Sequence, residues 1–193
     1  MVLEHVLVQK KAAILEKWFQ MIVDTYPADT AVFFKRVKDR FANPVGYTIS
    51  REIKNLYEEL LHDINTDRLA SCLDNIIRIR AVQDFPPSQA IAFIFLLKKA
   101  VREELAGELG GNQTLKELLK FESKVDEVVL LAVDTYMRCR EKVFEIRVNE
   151  VKDERQRAFK LLEKMNAIPL QSEVDYNPKD RGKGLAGNHR VQY

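Results

Sequence analysis

Apolar residues recur along this chain at helical spacing almost everywhere. Ile14, Trp18, Ile22 and Tyr26 fall four apart, flanked by Leu15, Phe19 and Val23, and predict one helix from about Leu3 to Tyr26, stopped by Pro27. A short helix through Val32, Phe33, Phe34, Val37 and Phe41 follows, closed by Asn43-Pro44 and Gly46. The next starts near Thr48 or Ser50 and uses Ile53, Leu56, Tyr57, Leu60 and Leu61. Asn65 or Thr66 can cap its successor, whose stripe is Leu69, Leu73, Ile76, Ile77 and Val82. Phe85-Pro86-Pro87-Ser88 is a stop and a restart, since proline is tolerated in a first turn where its missing N–H has no partner anyway. From Pro87 to Leu105 the pattern is apolar nearly all round, through Ile91, Phe93, Ile94, Phe95, Leu96 and Leu97, which suits the centre of a bundle. Gly107, Gly110 and Gly111 mark a loop.

Thr114-Leu115-Lys116-Glu117 has the spacing of a capping box. From there to Asn166 the chain meets neither glycine nor proline, so one long helix is predicted. Its first half, with Leu118, Leu119, Val125, Val128, Val129, Ala132 and Tyr136, should pack into the bundle. In its second half Phe144, Val148, Val151, Arg155, Ala158, Leu162 and Met165 alternate four and three apart, a heptad seam with an arginine at one core position. Charged neighbours such as Glu150, Lys152, Asp153, Glu154 and Arg157 suit an exposed helix, and the seam predicts pairing of two copies; the alternative is a helix folding back on its own domain. The expected fold is all-α: a helical bundle over residues 1–143, an extended helix over 144–166 as dimerisation segment, and a flexible tail over 167–193 that is poor in apolar residues.

Composition changes this picture little. The 193 residues are 46% hydrophobic and 31% charged, with a net charge of +2 spread along the chain, so a core is affordable and no basic stripe calls for nucleic acid. The apolar run Ala90 to Leu97 falls far short of the roughly 20 residues of a membrane span. The N-terminal stretch lacks the pattern of a secretory signal, and Cys72 and Cys139 are isolated thiols, so a cytoplasmic setting is expected.

Candidate chemistry is sparse. His5, His62 and His189 have no ligand spacing, so no metal or other cofactor is expected. Glu58, Glu59, Asp63 and Asp67 read as solvated helix-face carboxylates, and no phosphate-binding loop, dinucleotide fingerprint or nucleophile elbow is present. Catalysis has no support. The unusual segment is IIRIRAVQDFPPSQAIAFIFLLKKAV, which sets two guanidiniums beside the most apolar stretch. Arg78 and Arg80 are two apart and cannot share a helix face, whereas Arg80 can pair with Asp84. The arginines can tie the helix end to the proline loop through carbonyls or carboxylates. Alternatively an arginine, with Gln83, Ser88 and Gln89, lines a small pocket for an anion or polar ligand, helped by the helix N-terminus at Ser88. Cys72 and Cys139 read as small buried hydrophobes.

LEKWFQMIVDTYP, the FANPVGYTI loop and above all IIRIRAVQDFPPSQAIAFIFLLKKAVREEL resemble the N-terminal domain of RsbRD-type proteins, co-antagonists of RsbT in the bacterial stressosome pathway. The resemblance covers roughly Leu15 to Glu145. It implies an all-helical, haem-free, globin-like domain that dimerises and passes a signal down a C-terminal helix to a STAS domain. The chain departs from that pattern in carrying residues 167–193, rather than a STAS domain, after the long helix. Stand-alone members also resemble proteins of sulfate-reducing and related anaerobic bacteria. The function expected is therefore a non-enzymatic sensory or regulatory domain, a homodimer that receives a small ligand or protein partner. The alternative is a structural adaptor whose tail, with Tyr176, Arg181, Lys183, Arg190 and Tyr193, docks on a respiratory or signalling complex.

Overall fold

A computed structural model describes residues 2–62, 65–83, 85–107 and 112–167. The expected Arg80–Asp84 pair, the Gly110-Gly111 loop and the tail at 168–193 lie outside the described residues. Among these the chain forms seven helices and no strand: α1 (Val2–Gln9), α2 (Lys11–Val23), α3 (Ala28–Arg36), α4 (Pro44–Leu61), α5 (Thr66–Val82), α6 (Pro87–Glu104) and α7 (Asn112–Ala167). The all-α class and the long C-terminal helix are as expected. Two compact units divide the chain, residues 1–148 and 149–193.

In the first unit α2 lies against α6 and α4, α4 against α5, and α5 against α6. Trp18 of α2 is fully buried and donates its indole N–H to the Phe93 carbonyl of α6 at 2.7 Å, so a large apolar side chain enters the core with its one polar atom satisfied. α7 presents Leu118, Phe121, Val125, Val128, Val129, Ala132 and Tyr136 to this core. Polar contacts pin the same stretch: the Arg102 guanidinium forks onto the nearly buried Glu122 carboxylate with two bonds of 2.6 Å, and the Tyr136 hydroxyl donates to the Phe85 carbonyl at 2.8 Å. Leu119 and Phe95, expected inside, are exposed; each sits on the side of its helix opposite the buried stripe.

Four sequence expectations about element ends need correction. The first helix is interrupted at Lys10, whose ammonium reaches the Glu104 carbonyl at 2.7 Å, and it ends at Val23 in a tightened turn in which Thr25 and Tyr26 donate to carbonyls three residues back. The second helix stops at Arg36 rather than Phe41, because the Asp39 carboxylate takes the N–H groups of Phe41 and Ala42 and makes a turn instead. Asn43-Pro44 opens a helix rather than closing one. The Asn43 side chain accepts the Gly46 N–H at 2.9 Å with Pro44 in the first turn, and a Cβ on Gly46 would fall 2.4 Å from the Asn43 amide nitrogen. Thr114 lies inside α7, so the capping box does not form; the Glu117 carboxylate instead accepts the Leu3 N–H at 2.9 Å, capping α1 from a helix more than a hundred residues away. That bond holds the Glu117 carboxyl below the usual range.

A buried guanidinium in an aromatic box

Leu73, Ile76, Ile77, Arg80 and Ala81 recur on one face of α5, and all are buried. Arg80 therefore follows its apolar neighbours inward and reaches zero exposure. One Nη donates to the Gln89 carbonyl in the first turn of α6 at 2.9 Å, and the other to the Thr25 hydroxyl at 3.1 Å. The rings of Phe85, Tyr26 and Phe93 stand around it, with centroids 5.0, 5.3 and 5.5 Å from the guanidinium carbon. Phe34 and Phe85 meet the Tyr26 ring edge-on, each at 5.2 Å, and hold the box in place.

Among the described residues no carboxylate neutralises this cation. Aromatic faces recover roughly 2 kcal/mol when such a contact is desolvated, less than full burial of a charge costs. Burial accordingly draws the Arg80 guanidinium below its ordinary value, opposed by Tyr26, and pushes the Tyr26 phenol up, opposed by Arg80. Among the described residues two polar atoms in the same box have no hydrogen-bond partner, the Arg80 Nε and the Tyr26 hydroxyl. Buried polar groups are rarely left so, which marks the box as the place in the core with unused recognition capacity.

The five residues proposed from sequence as a ligand site do not converge. Arg78 points outward and pairs with Asp74 one turn earlier; Gln83 and Ser88 are exposed, as is the Gln89 side chain, whose backbone carbonyl alone reaches Arg80. Thr25, Tyr26, Phe85 and Phe93 complete the box and were not singled out by spacing. Only two of them carry a local mark: Tyr26 precedes Pro27 and Phe85 precedes Pro86, and helical backbone is disfavoured before proline.

Other polar clusters are self-satisfied. Between α4 and α5 the buried Glu52 carboxylate accepts from Arg51, Asn55 and Asn75, with Cys72 beside it. Burial, then the Glu52 charge, pushes the Cys72 thiol up to about 11, the reverse of an activated nucleophile. Among the described residues no group of three or more His, Cys, Asp or Glu side chains could hold a metal, and no helix is long and apolar enough to cross a membrane.

Among the described residues nothing covers the heptad seam of α7. Phe144 and, in the second unit, Val151, Arg155, Ala158, Leu162 and Met165 are exposed, and Val148 is half-buried. The Arg155 guanidinium lies over the Phe159 ring one turn on, at 5.4 Å.

Residues 12–151 match the family described as the RsbT co-antagonist protein rsbRD N-terminal domain. An uncharacterized protein of Archaeoglobus fulgidus is 30% identical over 138 residues, which cover 71% of this chain and 82% of that protein. No solved structure matches.

Proposed function

We propose, from the premise that this chain belongs to the RsbRD N-terminal domain family, that it is a non-enzymatic sensory or regulatory domain acting as a homodimer through α7. The observation that supports this reading is the seam Phe144, Val148, Val151, Arg155, Ala158, Leu162 and Met165, apolar but for one residue and, Val148 apart, exposed among the described residues. A helix with an apolar stripe and no intramolecular cover gains by finding the cover in another molecule. α7 carries residues of the core and of the seam alike, so an event that favours one core packing over another can bias how two copies pair.

The receiving end of this reading is the Arg80 box rather than the full set of Arg78, Arg80, Gln83, Ser88 and Gln89. A small polar or anionic group could engage the two unpartnered atoms, the Arg80 Nε and the Tyr26 hydroxyl, while the rings exclude water.

Light scattering of the full chain tests the association. The expected mass is twice 22.4 kDa for the parent chain and close to 22.4 kDa for Val151→Glu/Leu162→Glu, with unchanged helicity. A parent chain that remains a single protomer at high concentration overturns the reading. For the box, small organic and inorganic anions that raise the melting temperature of the parent chain should have no effect on Arg80→Met.

A further inference from the structure

Within the first unit, the start of α7 meets α1 and the end of α4 around a gap. Glu117, Phe121 and Lys124 are spaced four and three apart and share one face of α7. Phe121 is buried there with Leu3 and Leu7 of α1 and Leu60 of α4. These four side chains wall a cavity of about 220 Å³, with the half-buried Leu61 at its mouth.

Three polar ties, one for each pair of helices, keep the cavity from closing. The Glu117 carboxylate accepts the Leu3 N–H at 2.9 Å and joins α7 to α1. The Tyr57 hydroxyl donates to the Leu7 carbonyl at 3.0 Å and joins α4 to α1. The Lys124 ammonium donates to the carbonyls of Leu60 and His62, at 3.5 and 3.2 Å, and joins α7 to the end of α4. Each tie holds two helices a side chain's length apart, so the apolar walls cannot meet without breaking one of them. Protein interiors leave few gaps larger than a water molecule, and a held-open apolar one is suited to a ligand.

Size and charge decide the class of ligand. An apolar cavity of about 150 Å³ stays dry and takes a benzene ring. This one is somewhat larger, with room for a substituted ring or a fused pair. The charges that line it cancel, since Glu4 and Glu117 stand with Lys120 and Lys124. Glu117 and Lys124 are moreover engaged by the helix ends they hold. A charged ligand would be attracted by one of the remaining two groups and repelled by the other, with its own hydration lost.

We infer that the cavity between α1, α4 and α7 binds a small uncharged aromatic molecule of one or two rings. This site is separate from the Arg80 box and independent of pairing between copies. Phe121 precedes Tyr136, which bonds the Phe85 carbonyl of the box, by fifteen residues, about 22 Å of helix at 1.5 Å per residue. Both sites therefore bear on α7, and each takes a different chemistry.

Calorimetric titration of the full chain with indole, and with its charged relatives indole-3-carboxylate and tryptamine, tests the class. Indole should bind with a dissociation constant below about 1 mM, and both ions at least roughly tenfold more weakly. Leu61→Trp, which fills the mouth, should abolish indole binding with helicity retained, and Arg80→Met should leave it unchanged. A spin label locates the ligand without filling the cavity. In a Cys72→Ala/Cys139→Ala background, a nitroxide on Lys120→Cys should broaden the proton resonances of indole. One on Val82→Cys should not, because Val82 lies beside Val143, about 33 Å of helix from Phe121. No indole binding, undiminished binding in a folded Leu61→Trp, or equal broadening from the two labels overturns the site. Binding of either ion as tight as that of indole overturns the class of ligand.

Discussion

Arg80 and Arg155 each interrupt an apolar helical stripe, and the two stripes meet opposite fates. Around Arg80 the neighbours Leu73, Ile76, Ile77 and Ala81 are fully buried, and the arginine is carried in with them among three rings. Around Arg155 the neighbours Val151, Ala158 and Leu162 are exposed, and the arginine rests on one ring of its own helix. The pattern of residues is the same in kind. What differs is the cover: α5 has α4 and α6 packed against it, whereas the stripe of α7 has no cover among the described residues. An arginine inside a core must find acceptors in place, as Arg80 does in Gln89 and Thr25. An arginine on an open seam can wait for a carboxylate from outside.

Core and seam can be told apart by how substitutions divide between folding and association. Phe93→Ala, which removes one wall of the box from a fully buried site, should cost about 3–5 kcal/mol in chemical denaturation. Leu162→Ala should shift the concentration-independent part of stability by less than about 0.5 kcal/mol. Equal losses at the two sites would erase the distinction. Arg80→Ala should cost about 3 kcal/mol, since it opens a cavity and orphans two acceptors, while Arg80→Met, which orphans the same acceptors but fills most of the cavity and removes a buried charge, should come within about 1–2 kcal/mol of the parent. If Arg80→Met is as damaging as Arg80→Ala, the guanidinium is needed for folding, and a role in reception loses its main support.

Alkaline titration gives a smaller effect. Burial holds the Tyr57 and Tyr26 phenols above their ordinary value, so the folded chain keeps those protons when the unfolded chain starts to lose them near about pH 10. Their contribution is complete below that pH and drains away as pH rises further. The melting temperature should fall between about pH 9 and 11, less steeply in Tyr57→Phe, which should itself give up about 1 kcal/mol at neutral pH with the bond to the Leu7 carbonyl. A slope unchanged by that substitution would place the titrating group elsewhere. The smallest effect is chemical: at pH 8 a thiol reagent should leave Cys72 untouched in the folded chain and label it after denaturation, and rapid native labelling would contradict its burial.

Much of the architecture was legible from the chain. Helical spacing announced the helices but ran α1 and α2 together, Asn65 was one of two residues offered as the cap of α5, and Pro86-Pro87 announced the restart at α6, because apolar period and capping chemistry act within a few residues. Distant partners overrode local signals elsewhere. Glu117, spaced for a capping box with Thr114, caps α1 instead, and Lys10 interrupts a predicted helix while reaching the end of α6. The site was half legible. Arg80 stood out as a charge in an apolar stripe, but Thr25, Tyr26 and Phe93 come to it from fifty-five residues before to thirteen after, a convergence no local spacing encodes.

By itself, then, the sequence determined which segments would be helical and which face of each would be apolar, since those follow from period and propensity along one strand of chain. Only the tertiary structure decided which faces the chain could cover. It closed the α5 stripe over a guanidinium and, among the described residues, left the seam of α7 exposed, because cover depends on what another helix brings within a few ångströms.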